Sequence, residues 1–177
     1  MRVIYMGTPA FSIPPLEQLL EGGYQVVGVY TQPDKPAGRG RSVVASPIKT
    51  YAEERGLRVF QPISLRPPAT YRELASLKPA IIVIAAYGRI LPKEVVQLPP
   101  RGCVNVHPSL LPRHRGPPPV AFTLLEGDEV AGVTLILLDE GMDSGPIIAQ
   151  EEEPLLPQDT VQTLTDRLFR EGAKLLV

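Results

Sequence analysis

Apolar positions fall along this chain in two patterns: short unbroken runs, and longer stretches in which they recur three and four residues apart. Val3-Ile4-Tyr5-Met6 is of the first kind and reads as a buried strand after Arg2, stopped by Gly7-Thr8-Pro9. A helix follows from about Ser12, with Pro14 and Pro15 in its first turn, Leu16, Leu19 and Leu20 on one side, and Gly22-Gly23 as its stop. Tyr24 to Tyr30 is a second strand. The order β-α-β with near-continuous apolar strands predicts a parallel sheet covered on both faces. The first turn lacks Gly-x-Gly-x-x-Gly, which disfavours a dinucleotide site.

The same signals continue downstream. Thr31 to Ser46 reads as a long loop, Ser46-Pro47 opens a helix that runs to Arg55 and closes at Gly56, and Leu57 to Phe60 is a third strand. The latter part of Leu65 to Leu77 is helical in pattern. Ala80 to Ala86 is the most apolar run and is expected at the sheet centre, ending in the loop Tyr87-Gly88-Arg89-Ile90-Leu91-Pro92. A strand beginning near Gly102 is stopped by Pro108, and Pro117-Pro118-Pro119 leads into a helix through Leu125. Val133 to Leu138 and Ile147 to Glu151 are strands around the loop Asp139 to Gly145, and Thr160 begins a last helix with Val161, Leu164, Leu168 and Leu175 at helical spacing. The expected architecture is α/β: a Rossmann-like, doubly wound, mostly parallel sheet with helices on both faces.

Composition narrows the setting. A chain of 177 residues, 44% hydrophobic and 21% charged, suits one globular domain with a real core. Net charge −1 and a pI near 6.1 argue against a protein wrapped in nucleic acid, so any polyanion contact must come from a local patch. No apolar run reaches the ~18 residues of a membrane span, and the N-terminus enters a strand without a basic leader, which makes no membrane and a cytoplasmic setting the expectation. One cysteine, Cys103, precludes an internal disulfide and reads as a small core residue, and two histidines, His107 and His114, give no cluster at zinc spacing, so no metal is expected.

The chemistry concentrates between Gly102 and Gly116. Asn105 and His107 alternate on a strand and therefore leave on one face, side by side. An amide that donates two hydrogen bonds beside an imidazole that can pass a proton suits acyl transfer, in which a carbonyl oxygen turns negative while an amine loses a proton. Such a pair taken alone is more often an ordinary polar strand end satisfied by backbone and water. Upstream, Lys35, Arg39 and Arg41 lie among glycines beyond a strand end and could track phosphates, or could be an ordinary solvated loop.

Longer strings carry a resemblance. Asn105-Val106-His107-Pro108-Ser109-Leu110-Leu111-Pro112 with Gly116, followed by Asp139-Glu140-Gly141-Met142-Asp143-Ser144-Gly145, resembles the signature of the folate-dependent formyltransferases. Thr31-Gln32-Pro33-Asp34-Lys35-Pro36-Ala37-Gly38-Arg39-Gly40 resembles the loop with which the methionyl-tRNA formyltransferases among them enter the acceptor arm of initiator tRNA. The resemblance implies transfer of a formyl group from 10-formyltetrahydrofolate to methionyl-tRNA. Asn105, His107 and Asp143 would then be catalytic: Asn105 and His107 donate to the oxyanion, while Asp143 orients His107 and helps move the proton. Ser109, Leu110, Leu111 and Pro112, with Ile90, Leu91 and Asp139, would hold the folate, and Arg39, Lys35 and Arg41 the tRNA. No obligate protein partner is evident.

Four readings compete with this one. Glycinamide ribonucleotide and sugar-nucleotide formyltransferases share much of the chemistry, but the Gly7 to Phe11 turn speaks against the former and the basic loop against both. A formyl-folate hydrolase would use the same three residues with water as acceptor, and an inactive folate- or RNA-binding module would bind without turnover. A serine hydrolase built from Ser109, His107 and Asp143 is disfavoured, because Ser109 has no Gly-x-Ser-x-Gly elbow and stands two residues from His107. His114 is expected at the surface, in a basic turn with Arg113 and Arg115. The family usually shows Gly-Ala-Ala-Pro where this chain has Gly116-Pro117-Pro118-Pro119, which removes two backbone donors a substrate contact there would need. The family also continues through a linker into a β-barrel domain, so residues 1–177 are expected to be the catalytic domain of a chain truncated before that barrel.

Overall fold

The fold was obtained as a computed structural model, which describes residues 1–37 and 42–177. In chain order its elements are β1 (Arg2–Gly7), α1 (Ile13–Glu21), β2 (Gln25–Tyr30), β3 (Lys35–Ala37), β4 (Ser42–Val44), α2 (Pro47–Glu54), β5 (Val59–Phe60), α3 (Pro68–Ser76), β6 (Ile81–Ala85), α4 (Lys93–Val96), β7 (Cys103–His107), α5 (Pro119–Leu125), β8 (Val130–Leu137), β9 (Ile147–Pro154) and α6 (Val161–Leu175). Seven strands form one sheet in the order β5-β2-β1-β6-β7-β8-β9. The pairs from β5 to β7 are parallel, whereas β7–β8 and β8–β9 are antiparallel. The expected mostly parallel α/β sheet is present, with a crossover at β1, where the chain turns from building outward through β2 and β5 to building the other way through β6.

Strand periodicity divides the core in two. Val3 and Tyr5 of β1, Val83 and Ala85 of β6, and Val104 and Val106 of β7 face α1, α2 and α6, whereas Ile4, Met6, Ile82, Ile84 and Cys103 face α3 and α4. On the first face Leu164, Leu168 and Phe169 of α6 are essentially buried, each contributing about 1.5–3 kcal/mol by leaving water. Gly172 lets that helix approach the sheet: a Cβ there would stand 2.6 Å from Val106 Cγ1. Thr160 caps α6, its hydroxyl accepting from Thr163 N–H, and Ser46 caps α2 by accepting from Lys49 N–H.

Local differences from the sequence reading have physical causes. The Thr31 to Ser46 segment contains the antiparallel pair β3–β4, a ladder too brief to register as periodicity. Its stem is fixed by Asp34, which accepts from Lys49 Nζ at 2.6 Å and from Gln61 Nε2 at 2.7 Å. These donors, Lys49 first, hold the Asp34 carboxyl below the usual range. The third strand shrinks to Val59–Phe60 at the sheet edge. The outer strand β9 presents Glu151 and Glu152 to solvent, a charged edge that discourages further pairing. Among the described residues no helix is long and apolar enough to cross a membrane.

Candidate active site

Alternation on β7 decides where the polar pair goes. Cys103 lies in the core on the α3–α4 side, so Asn105 and His107 leave β7 on that same side. Cross-strand pairing sets Thr134 opposite His107 and Ile136 opposite Asn105 on β8. Over these strands the cover is loop. Ser109 to Leu111 folds back and is pinned to Thr134, whose hydroxyl donates to the Ser109 carbonyl at 2.6 Å and accepts from Leu111 N–H at 3.2 Å. Gln150 Nε2 donates to the Leu111 carbonyl at 2.8 Å.

The loop after β8 supplies the carboxylate. Leu138 N–H donates to the Cys103 carbonyl at 2.8 Å, so the loop departs level with the start of β7 and climbs back over it. Asp139 shapes the climb by accepting from Gly141 N–H and from Ser144 Oγ, both at 2.9 Å. At the top Asp143, with φ of 47°, accepts from Gly116 N–H at 3.0 Å, and its other oxygen lies 3.5 Å from Asn105 Nδ2. His107 Nδ1 stands 3.6 Å from Asp143 Oδ2, an ion-pair distance longer than a hydrogen bond. Asn105 and His107 on β7 are therefore gathered into one cluster with Asp143 by a loop distant in sequence.

One sequence expectation is modified by the other imidazole nitrogen. His107 Nε2 lies 3.0 Å from the His114 carbonyl oxygen. A carbonyl only accepts, so Nε2 carries a hydrogen and Nδ1, facing Asp143, is the nitrogen left to exchange protons. The ring is thus aimed by a backbone carbonyl as well as by the carboxylate.

His114 itself is corrected. Its side chain is only 7% exposed, because Nε2 donates to Asp128 Oδ2 at 2.7 Å, while Arg113 grips the other carboxylate oxygen. The hydrogen bond from His114, aided by the Arg113 charge and opposed by burial, holds the Asp128 carboxyl below its usual range. His114, Glu126 and Asp128 bring potential metal-ligand atoms within 4.8 Å, but the His114 ring and both Asp128 oxygens are already paired with each other and with Arg113.

The remaining expected residues divide. Ser109 is buried and its hydroxyl donates to the Arg113 carbonyl at 2.8 Å, with no hydrogen bond to His107, so it is no nucleophile in waiting. Leu111 is buried and Leu110 lies against Gly132, so the apolar pair seats the loop, while Pro112 is exposed. Leu91 packs into the α3–α4 core, whereas Ile90 is 87% exposed beside it. Lys35 Nζ donates to Gln32 Oε1 at 2.8 Å, and Gln32 Nε2 in turn donates to the Tyr87 and Gly88 carbonyls, tying the β3–β4 stem to the loop after β6. Arg39 and Arg41 lie outside the described residues. Cys103 is buried in the core, where desolvation pushes its thiol up to about 12. The sequence reading missed the His114 carbonyl, the Gly116 amide, Asp128, Thr134 and Gln150. Two of these act through the backbone, which no side-chain pattern announces; Thr134 and Gln150 reach the loop from the antiparallel strands β8 and β9, and Asp128 reaches His114 from the turn after α5.

The seven-stranded, mostly parallel sheet with this crossover is a Rossmann-like formyltransferase architecture. It superposes on the crystal structure of phosphoribosylglycinamide formyltransferase from Bacillus halodurans with a TM-score of 0.79 at 25% identity, over 99% of this chain and 95% of that one. A family model described as formyl transferase matches residues 1–177, and the chain belongs to that family. At the sequence level it is 51% identical to the methionyl-tRNA formyltransferase of Dehalococcoides mccartyi and 53% identical to that of a Roseiflexus species, in each case over the whole of this chain. It spans 57% and 55% of those two relatives' lengths.

Proposed function

We propose that this chain carries the formyl-transfer site of an enzyme that moves the formyl group of 10-formyltetrahydrofolate to the α-amine of methionine on initiator tRNA. The observation that carries the reading is the meeting of an amide donor, an imidazole and a carboxylate in one cluster, with Asp143 within 3.6 Å of both partners. The names of the half-identical relatives support the choice of acceptor. The folate would lie along the Ser109 to Pro112 loop and the segment after β6, held chiefly through backbone groups, since the side chains of Ser109 and Leu111 are spent on seating the loop. Asp139 would contribute by shaping the second loop, and Lys35, Arg39 and Arg41 would meet tRNA phosphates. Residues 1–177 form the catalytic domain in this reading, and the reaction calls for no metal.

The neutral amine attacks the formyl carbon, giving a tetrahedral oxyanion and a cationic nitrogen. Asn105 Nδ2 donates to the oxyanion, and His107 does so through Nδ1 when that nitrogen is protonated, because Nε2 is committed to the His114 carbonyl. Asp143 takes the amine proton, directly or through a water, as the carbon–nitrogen bond to the folate breaks and the folate nitrogen regains a proton. Loss of one oxyanion donor costs about 10² to 10³ in rate, so Asn105→Ala should lower kcat by that factor with the fold retained. Unchanged turnover in Asn105→Ala would refute the assignment. Release of formate in the absence of any amine would redirect it to hydrolysis.

A further inference from the structure

We propose that Asp128 is a positioning residue for His107, acting through the turn that His114 occupies. The imidazole of His107 is aimed by the His114 carbonyl at 3.0 Å, and that carbonyl points inward because His114 adopts φ of 53°. A residue with a Cβ pays about 1–2 kcal/mol to stay in the left-handed region, so the turn must be held there by its contacts. Ser109 Oγ holds the Arg113 carbonyl at 2.8 Å, and Asp128 supplies the contacts to the two side chains. One of its oxygens accepts from the His114 ring at 2.7 Å and the other from the Arg113 guanidinium, with the His114 and Asp128 side chains each 7% exposed. Asp128 is itself anchored at the end of α5 by its N–H, which donates to the Thr123 carbonyl at 3.2 Å. Two residues beyond His114 the same turn delivers the Gly116 N–H to Asp143 at 3.0 Å.

A carboxylate that touches none of the reacting atoms thus holds the side chains of the turn that aims both the imidazole and its acidic neighbour. Without it the turn relaxes from the left-handed conformation and the carbonyl leaves His107 Nε2. The ring is then free to turn and to carry its neutral-state proton on either nitrogen, so Nδ1 is no longer held beside Asp143 where it meets the oxyanion. The effect on rate rests on the formyl-transfer reading; the effect on the tautomer does not.

The test pairs both readouts. The chain holds two histidines, so ring-nitrogen NMR of ¹⁵N-labelled protein, at a pH where the rings are neutral, resolves the tautomer of His107. The expected result is an Nε2–H ring in the unmodified protein and a mixed or Nδ1–H ring in Asp128→Ala. In the formyl-transfer assay Asp128→Ala should lower kcat about 10- to 100-fold, the scale of a misaimed group, with KM for the folate changed less than about threefold. Asp128→Asn, which keeps an acceptor for the His114 ring, should fall between the two in both measurements. Glu126→Ala, which removes only a group 3.9 Å from Arg113, should move neither. If Asp128→Ala does not fold, His114→Ala must give the same tautomer change. A folded Asp128→Ala protein whose His107 keeps its Nε2–H, whatever happens to kcat, overturns the proposal. If no formyl transfer is seen in any variant, the ring-nitrogen result alone decides it.

Discussion

Replacing Gly145 with alanine tests whether the Asp143 loop must sit as the structure shows it. A Cβ at Gly145 would lie 1.9 Å from the Leu137 carbonyl oxygen and 3.1 Å from the Leu137 carbonyl carbon, both backbone atoms of β8, and Cβ atoms essentially never come nearer than 3.0 Å to a neighbour. No rotamer relieves a clash between a Cβ and a strand carbonyl. The strand is held on both sides, with Leu137 N–H donating to the Pro146 carbonyl at 2.9 Å, so the loop is the part that gives way, by roughly 1 Å. Asp143 is two residues away, and its 3.0 Å bond to Gly116 N–H and 3.6 Å approach to His107 do not survive such a shift. A displacement of about 1 Å costs on the order of 10² in rate, whereas overpacking at a loop costs about 1–3 kcal/mol of stability. Steady-state formyl transfer should therefore show kcat down about 100-fold in protein that still melts cooperatively. A Gly145→Ala protein with full kcat would mean that the loop has another way to place Asp143, and the geometry above would not be the working one.

Further outcomes follow from other contacts. Ser109→Ala leaves the partly buried Arg113 carbonyl without this donor, which should cost about 0.5–1.5 kcal/mol in denaturant unfolding while keeping turnover within about tenfold; abolished turnover would revive the serine-nucleophile reading. Gly172→Ala should gain about 1 kcal/mol of helix propensity and lose about 1–3 kcal/mol to overpacking against Val106 and Val133, a net loss measurable by chemical denaturation, and a more stable variant would show that α6 can move off the sheet. The Asp159 carboxyl is held down to about 2, chiefly because Arg167 donates to both its oxygens at 2.9 and 2.8 Å. Its folded value lies below the unfolded ~3.9, so the stabilisation is full above that value and drains away as pH falls towards about 2. Unfolding midpoints of the unmodified protein and Asp159→Asn should converge across that window, and parallel curves would contradict the assignment.

How far the sequence was legible depended on the range of the interaction that fixes each feature. Runs such as Ile81 to Ala85, and helices such as Val161–Leu175 with its Thr160 cap, are specified by their own residues, and they appeared within a residue or two of expectation. That Asn105 and His107 share a face followed from a period of two. Their meeting with Asp143 was expected only from resemblance, because nothing local says that the loop after β8 leaves level with Cys103 and doubles back. His114 was misjudged for the same reason: between two arginines it reads as surface, and its buried partner Asp128 lies fourteen positions on, beyond an intervening helix. Ile90 and Leu91, adjacent and both apolar, separate into solvent and core, a choice made by α4 and the sheet rather than by either residue.

The backbone conformations around the Asn105, His107 and Asp143 cluster bear on function independently of any resemblance. Among the described residues four non-glycine positions have positive φ: Lys78, Ala86, His114 and Asp143, and the last three stand at the end of β6 and in the two loops over β7. Asp and His tolerate this region better than most residues, yet each instance still costs on the order of 1 kcal/mol. The fold meets that cost with clamps beside each one: Thr8 Oγ1 on the Tyr87 carbonyl after Ala86, Asp128 on the His114 ring, and Gly116 N–H on the Asp143 carboxylate. Relaxed loops could have exposed the same groups to water at no such expense. Held in place, they keep a carbonyl on one side of the His107 ring and a carboxylate on the other before any ligand arrives, which spares the reaction the work of arranging them.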